Sequence, residues 1–152
     1  MKPIRVLIVD DHALFRSGIR LLLQHKKPFE VVGEAANGQA GAHLVRSLRP
    51  DVVLLDLHMP GISGGEALQM IVAQTPETRV VMLTASEDRE EQLACMRAGA
   101  TGYLLKFAAT EHLTNAIICA ARGESFIGSQ ARITWTNERL QAGVRQGAKR
   151  AV

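Results

Sequence analysis

Short apolar runs alternate with amphipathic segments five times along this chain, and that alternation restricts the possible folds more than any other feature. The first run, Ile4 to Val9, is almost continuously apolar and β-branched, as expected for a strand covered on both faces. Phe15, Ile19 and Leu23 then recur at the spacing of an amphipathic helix. Four more such pairs follow, with strands that start near Phe29, Val52, Val80 and Tyr103. This regularity predicts an α/β fold with one doubly wound, five-stranded parallel sheet, five helices on its two faces and right-handed crossovers.

Capping residues and glycines predict where several helices begin. Asn37 is placed to cap the second helix, and Ser86, followed by two acidic residues, is placed to open the fourth. Gly64 and Gly65 are interpreted as a flexible entry to the third helix. Beyond Gly128 the regular pattern stops.

A polar residue stands at the carboxyl end of four of the five predicted strands. Asp10 and Asp11 follow the first strand, Asp56 ends the third, Thr84 the fourth and Lys106 the fifth. The carboxyl ends of parallel strands converge on one edge, where open α/β sheets bind their ligands. Because carboxylates a few ångströms apart repel one another, this group predicts a hard divalent cation such as Mg²⁺.

These five residues also have the chemistry for phosphoryl transfer. A carboxylate held beside a divalent cation can attack a phosphoryl donor and form an acyl phosphate, and Asp56 is the best-placed nucleophile. Lys106 supplies a positive partner for phosphate oxygens, and the Thr84 hydroxyl can donate a hydrogen bond to one of them. Asp10, Asp11 and Asp56 are the candidate metal ligands.

Bulk composition is that of an ordinary globular domain. A chain of 152 residues fits one domain. No apolar stretch approaches the roughly 18 residues of a membrane-spanning helix, so we expect a cytoplasmic protein. Cys95 and Cys119 lack a CxxC partner, which is typical of a reducing compartment, and we interpret them as core residues. The histidines lack metal-ligand spacing and are interpreted as surface or turn residues: His12, His25, His43, His58 and His112.

The net charge of +3 is unevenly distributed. Residues 131–152 hold five Lys/Arg and one acid, a net +4, whereas residues 1–130 hold 13 basic and 14 acidic residues, a net −1. The basic residues of the tail are scattered, so contacts to nucleic acid phosphates are the weaker interpretation. A solvated linker remnant, or the remains of a truncated or altered C-terminal half, fits the composition better.

Four motifs, in order, show a resemblance to a known family. They are Val-Asp-Asp-His at 9–12, Leu-Asp-Leu-His-Met-Pro-Gly at 55–61, Leu-Thr-Ala-Ser at 83–86 and Gly-Ala-Thr-Gly-Tyr-Leu-Leu-Lys at 99–106. With these motifs the chain resembles a response-regulator receiver domain of two-component signalling. The resemblance implies a receiver domain at 1–128 and a basic tail or linker remnant at 129–152.

The resemblance also implies an architecture and site roles. The fold would be flavodoxin-like with strand order 2-1-3-4-5, and a partner histidine kinase would phosphorylate Asp56. Mg²⁺ would be held by Asp11 and Asp56, by Asp10 through water, and by the backbone carbonyl of His58. Self-phosphorylation and self-dephosphorylation would be the only activities of such a protein, which is not otherwise an enzyme.

A conformational switch belongs to the same set of implications. Thr84 would move toward the phosphoryl group, and Tyr103, for which composition alone favours a core role, would turn inward. The fourth helix, fifth strand and fifth helix would form the readout face. His58 and Ser86, two positions beyond Asp56 and Thr84, would tune the phosphate lifetime.

The subfamily that this sequence is similar to usually carries a LuxR-type helix-turn-helix. The carriers are Asp-Asp-His followed by Phe-Arg-Ser-Gly-Ile-Arg, and Gly-Glu-Ser-Phe-Ile after the last helix. Residues 129–152 are too few for that module, so we expect DNA binding and control of transcription only through an output domain that this chain lacks. A homodimer formed through the first or fifth helix, and strengthened by phosphorylation, is a family-level expectation. Phe107, immediately after Lys106, departs from the family pattern, in which an acidic residue or proline is commoner at this position.

Two other functions are compatible with part of the pattern. An aspartate-nucleophile phosphatase of the haloacid-dehalogenase kind would need Asp-x-Asp on the first strand, whereas here Asp10 is followed by Asp11 and His12. A receiver that works without phosphate, through its helical surface alone, would have no need of Asp56 and Lys106 together.

Overall fold

The predicted alternation of strands and helices is present in the computed structural model, which describes residues 2–108 and 110–127. The strands are β1 (Ile4–Val9), β2 (Phe29–Ala35), β3 (Val52–Asp56), β4 (Arg79–Thr84), β5 (Gly102–Leu105) and β6 (Phe126–Ile127). The helices are α1 (Ala13–Gln24), α2 (Gly38–Leu48), α3 (Gly64–Gln74), α4 (Arg89–Arg97) and α5 (Thr110–Ala121). Within the described ranges, no helix has the length and hydropathy needed to cross a membrane.

All strands lie in one parallel sheet of order β2-β1-β3-β4-β5-β6. The predicted order 2-1-3-4-5 is therefore confirmed. The predicted number of five strands is wrong, because β6 pairs with β5 through Gly102 opposite Phe126 and Tyr103 opposite Ile127. Two residues are too few to show a period of two, so the sequence pattern did not reveal this strand.

Both faces of the sheet are covered, which explains why the strand sequences are almost continuously apolar. Leu7, Val53 and Met82 point to one face, where they pack with the core residues of α2, α3 and α4. Ile8 and Leu54 point to the other, where they pack with α1 and α5. Successive side chains of a strand alternate between faces, so each central strand contributes to both cores.

The two cysteines are core residues, as predicted. Cys95 and Cys119 are free and buried, one in each core. Burial, with the nearby charge of Glu91, raises the pKa of Cys95 to about 11, so its thiol stays neutral at physiological pH.

Two helix starts show how side-chain caps fix the local chain. The Asn37 side chain accepts a hydrogen bond from the Ala40 backbone N–H at 2.8 Å, which confirms the predicted cap of α2. The fourth helix starts later than predicted, because Asp88 rather than Ser86 is its cap and accepts hydrogen bonds from the two N–H groups of Glu90 and Glu91. Ser86 therefore lies in the loop between β4 and α4.

The start of α3 is sterically constrained, in contrast to the flexible entry expected from its two glycines. Ser63 and Glu66 form a reciprocal capping box there. A Cβ atom added to Gly64 would lie 2.2 Å from the Asp56 carbonyl oxygen and 2.6 Å from the Leu57 Cα. Both neighbours are backbone atoms and cannot rotate away. Gly64 is required because its lack of a side chain lets α3 begin against the end of β3.

We predict that Gly64→Ala lowers the free energy of unfolding by about 3 kcal/mol, because overpacking against backbone cannot be relieved by a rotamer change. Gly65→Ala is the matched control, since its Cβ would meet only Ser63 Oγ at 3.7 Å. That change should leave stability equal or raise it by up to about 1 kcal/mol. Urea unfolding of both variants measures the difference, and equal stabilities would contradict the steric explanation.

Candidate functional site

The polar ends of β1, β3 and β5 meet in one pocket at the carboxyl edge of the sheet, as the sequence predicted. The Lys106 Nζ lies 2.8 Å from Asp10 Oδ2 and 3.3 Å from Asp56 Oδ2. Asp10 is 0% exposed and Asp56 is 2% exposed. A buried ammonium group therefore bridges two buried carboxylates that come from different strands.

The electrostatic environment of Asp56 opposes its ionisation. Burial, and then the negative charge of Asp10, raise the pKa of the Asp56 carboxyl above its usual range. The Lys106 ammonium and the His58 backbone N–H, which donates to Asp56 Oδ1 at 3.3 Å, lower that pKa and only partly offset the rise. An added cation in the pocket would further favour the ionised form.

Asp11 and His12 complete the pocket at its more exposed side. The His12 Nδ1 lies 3.2 Å from three atoms: Asp10 Oδ1, Asp11 Oδ1 and Lys106 Nζ. Asp10, Asp11, His12 and Asp56 each offer one donor atom, and these atoms all lie within 4.8 Å of one another. The prediction of His12 as a surface residue agrees with its 65% exposed side chain, but the direction of its Nδ1 toward the acidic pocket was not predicted. Its position directly after two acidic residues at a strand end was the available signal.

Thr84 and Tyr103 lie beside this pocket on neighbouring strands. Thr84 is fully buried at the end of β4, and its Oγ1 accepts a hydrogen bond from the Ser86 backbone N–H at 3.1 Å. Tyr103 is 4% exposed, and burial raises the pKa of its hydroxyl to about 12. The Thr84 side chain is a hydrogen-bonding neighbour of the Tyr103 hydroxyl and lowers its pKa, although the contact is not well aligned. Its aromatic ring already points inward, into the core shared with α4.

His58 connects the loop that follows β3 to the fourth helix. Its Nε2 lies 2.9 Å from Glu91 Oε2 in α4. Ser86 lies in the β4–α4 loop, where its Oγ accepts a hydrogen bond from the Asp88 backbone N–H at 3.3 Å. These two residues therefore flank the pocket from β3 and β4, respectively.

An aromatic pair lies next to Lys106. The Lys106 Nζ lies 4.6 Å from the centroid of the Phe15 ring, within the range of a cation–π contact, and Phe107 packs edge-on against Phe15 at 6.5 Å between centroids. Phe107 is 84% exposed and Leu14 is 88% exposed. Both residues border an apolar groove of about 620 Å³ between α1 and α5, which opens beside the ammonium group.

Comparison with known proteins agrees with this geometry. The family model of the response regulator receiver domain matches residues 6–118. The chain belongs to the response regulator receiver family. The members that the receiver resembles are named as response regulators, which are signalling proteins rather than classical enzymes. The phosphatase alternative is therefore not supported.

Individual relatives place the receiver within larger regulators. The nitrate/nitrite response regulator protein NarL of Escherichia coli (strain K12) is 40% identical over 123 residues, which are 81% of this chain and 57% of that protein. The chain thus spans little more than half the length of this curated relative. Among solved structures, a two-component response regulator of the LuxR family from Aurantimonas sp. SI85-9A1 matches with a TM-score of 0.81 and 31% identity, covering 91% of this chain and 99% of that chain.

A second solved structure was determined with a phosphoryl mimic. The isolated REC domain of RcsB from Salmonella enterica serovar Typhimurium, in the presence of phosphomimetic BeF3⁻, matches with a TM-score of 0.77 and 27% identity. It covers 84% of this chain and 95% of that one. The flavodoxin-like receiver fold and the resemblance to LuxR-type regulators are therefore confirmed.

The raised pKa of Asp56 predicts a pH-dependent effect of Asp56→Asn on stability. The folded receiver holds the Asp56 proton more tightly than the unfolded chain, so its unfolding free energy falls as pH rises from the usual aspartate range through the raised pKa. Asparagine has no such ionisation. Without divalent metal, Asp56→Asn should be more stable by about 1 kcal/mol at neutral pH, with a gain that disappears below about pH 4.

Urea unfolding in a chelator at several pH values tests this effect. Asp51→Asn is the control, because Asp51 is exposed, lies outside the pocket and accepts a hydrogen bond from the Arg5 backbone N–H. A gain for Asp56→Asn that does not vary with pH would contradict the electrostatic cause.

The Tyr103 hydroxyl provides a separate prediction. Because this hydroxyl is buried and its contact with Thr84 is poorly aligned, Tyr103→Phe should raise the free energy of unfolding by about 1 kcal/mol. Thr75→Val is the matched control, since the buried Thr75 hydroxyl donates to the Ile71 carbonyl at 2.9 Å and its loss should lower stability. Thermal or urea unfolding distinguishes the two, and a destabilised Tyr103→Phe would show that the hydroxyl is satisfied in solution.

Proposed function

We propose that this chain is a phosphoacceptor switch, in which Asp56 accepts a phosphoryl group from a histidine kinase. The observation that carries the proposal is the buried carboxylate of Asp56, 3.3 Å from the Lys106 ammonium and in one pocket with Asp10. A phosphohistidine is a suitable donor because its P–N bond breaks as the new O–P bond forms. The imidazole of the kinase leaves, and the acyl phosphate remains on Asp56.

Residues around Asp56 have distinct proposed roles in this transfer. Lys106 neutralises charge on the phosphoryl oxygens, because its ammonium is already directed at Asp56 Oδ2. Thr84 offers a hydroxyl that can donate to one of those oxygens. The proposed activity is limited to phosphorylation of Asp56 and its later hydrolysis, including self-phosphorylation from small donors and self-dephosphorylation.

The donor set fits a magnesium ion. Two buried carboxylate oxygens, Asp10 Oδ2 and Asp11 Oδ1, receive no well-aligned hydrogen bond. Their close contacts are Lys106 Nζ at 2.8 Å and His12 Nδ1 at 3.2 Å, respectively. Mg²⁺ prefers oxygen ligands of this kind. Asp11, Asp56 and the His58 backbone carbonyl would hold it, with Asp10 acting through water. When bound, the ion would offset the negative charge that develops during transfer.

We propose that the phosphoryl group acts on the surface through Thr84 and Tyr103. Thr84 would be drawn toward the phosphoryl oxygens, and the inward position of Tyr103 would then be favoured. The readout face is α4, β5 and α5. The His58–Glu91 ion pair supports this route, because it ties the loop after Asp56 to α4. His58 and Ser86 are placed on either side of the pocket to influence phosphate lifetime.

The partners follow from the same switch. A histidine kinase is the donor, and a homodimer favoured by phosphorylation is the proposed output. Among the described residues, the exposed large apolar side chains are Leu14 and Leu21 of α1 together with Phe107, which supports a partner surface at the first helix. We infer that DNA binding and control of transcription belong to an output domain of a longer regulator, and that the protein acts in the cytoplasm.

The domain division remains a proposal. Residues 1–128 would be the receiver and residues 129–152 a basic tail or linker remnant, and the whole of that tail lies outside the described residues. A receiver that works without phosphate is the less favoured alternative, because all five predicted site residues are present at the pocket edge.

The central prediction concerns a small acyl-phosphate donor. With Mg²⁺, the purified chain should gain one phosphoryl group, detected by intact mass or by a phosphate-retarding gel, and Asp56→Asn should lose this labelling by at least about tenfold. Asp51→Asn should be labelled like the wild type, since Asp51 lies outside the pocket. Labelling of Asp56→Asn at the wild-type level, or none of the wild type, would reject the proposal.

A further inference from the structure

His12 occupies the first cap position of α1 but does not cap the helix. Residues at this position usually have a short oxygen-bearing side chain that accepts a hydrogen bond from the helix N–H groups. His12 makes no side-chain cap bond. Its ring nitrogen is directed at the acidic pocket instead, although the side chain as a whole is 65% exposed.

The distances from this nitrogen to two carboxylate oxygens are those expected between neighbouring ligands of one metal ion. The His12 Nδ1 lies 3.2 Å from Asp10 Oδ1 and 3.2 Å from Asp11 Oδ1. Ligand atoms about 2.1 Å from a metal are about 3.0 Å apart along an octahedral edge and about 3.4 Å apart along a tetrahedral edge. The two observed separations lie between these values, so the nitrogen and either carboxylate oxygen are spaced like neighbouring ligands of one ion. One ligand atom from each of Asp10, Asp11, His12 and Asp56 lies within 4.8 Å of the others.

The pocket also holds buried carboxylate oxygens that receive no well-aligned hydrogen bond. These are Asp11 Oδ1 and Asp10 Oδ2, whose close contacts are His12 Nδ1 at 3.2 Å and the Lys106 ammonium at 2.8 Å, respectively. An ammonium group, Lys106 Nζ, lies 3.2 Å from the same His12 nitrogen. The acidic pocket thus already contacts one positive group, the Lys106 ammonium. It also contains one candidate ligand atom that is a nitrogen, the His12 Nδ1.

An imidazole nitrogen changes which ion such a pocket prefers. Mg²⁺ is a hard cation that takes oxygen ligands, whereas imidazole nitrogen is a good ligand for Zn²⁺, Cu²⁺ and Ni²⁺. Sites that combine nitrogen and oxygen ligands generally bind these ions more tightly than Mn²⁺ or Fe²⁺. We propose that His12 Nδ1 joins Asp10, Asp11 and Asp56 in a nitrogen–oxygen site that binds Zn²⁺ or Cu²⁺ in competition with Mg²⁺. This inference rests on the proposed metal pocket and not on phosphorylation of Asp56.

The test compares metal binding by the wild-type chain, His12→Ala and the control His43→Ala. His43 is an exposed residue of α2, on another element from the pocket. Calorimetric titration with Zn²⁺ should show binding at least about tenfold tighter than Mg²⁺ in the wild type. His12→Ala should lose at least about tenfold in Zn²⁺ affinity, a larger loss than in its Mg²⁺ affinity, and His43→Ala should match the wild type for both ions.

A spectroscopic readout identifies the ligand directly. With one equivalent of Cu²⁺, pulsed electron paramagnetic resonance should show imidazole nitrogen coupling that is present in the wild type and His43→Ala and absent in His12→Ala. His12→Asn repeats the experiment with a good cap residue, so a failure to fold cannot imitate the result. Nitrogen coupling that persists in both His12 variants, or equal Zn²⁺ affinity with and without His12, would overturn the inference.

The result is separable from the phosphoacceptor proposal. Labelling of Asp56 by an acyl phosphate with Mg²⁺ is measured on the wild type and Asp56→Asn, whereas Zn²⁺ binding is measured on the wild type and the His12 variants. If the wild type is not labelled but binds Zn²⁺ through His12, the phosphoacceptor proposal fails and the mixed metal site stands. If labelling is normal and Zn²⁺ binding does not depend on His12, the metal inference alone fails.

Discussion

The structure of this receiver's site depends on the ion pairs between one buried ammonium group and two buried carboxylates. Lys106 reaches past β4 from the end of β5 to contact Asp10 on β1 and Asp56 on β3. Unpaired, each of these charges would be strongly unfavourable in a dry environment, since a buried charge needs a partner and further hydrogen bonds. The strand order brings the three residues together, and at Asp56 the attraction of Lys106 only partly offsets burial and the charge of Asp10. The pocket therefore retains a demand for positive charge, which a divalent ion can meet.

In the proposed switch, negative charge added at Asp56 would affect elements at the protein surface. The groups around Asp56 are linked to surface elements by short contacts, including His58 to Glu91 in α4 and the Thr84 hydroxyl to the backbone N–H of Ser86. In the proposed switch, a phosphoryl group on Asp56 would add negative charge and acceptor oxygens, with Lys106 and Thr84 as the proposed donors. In that proposal, a change in the contacts of Thr84 or His58 would reach the β4–α4 loop and α4, and so would couple the pocket to the proposed readout face.

Most of the fold could be predicted from the sequence because strand and helix periods are local and repeat five times. The pocket could also be predicted, since in a parallel sheet the polar residues that end successive strands must share an edge. Other features depended on information that periodicity does not contain. The strand β6 has only two residues and so shows no period. Two residues, Ser86 and Asp88, could cap α4, and the sequence does not show which one does. The need for Gly64 arises from the Asp56 backbone carbonyl, which belongs to β3 and not to the helix. The orientation of the His12 ring is likewise set by three-dimensional contacts rather than by ligand spacing.

The close approach of Gly64 to the end of β3 has a mechanical consequence. The Gly64 N–H donates to the Leu57 carbonyl at 2.8 Å, and no side chain separates α3 from the Asp56 backbone. The backbone of Asp56 therefore packs directly against the first turn of α3. A shift of the Asp56 peptide toward α3 would press backbone against backbone, so the first turn of α3 acts as a fixed support for the end of β3.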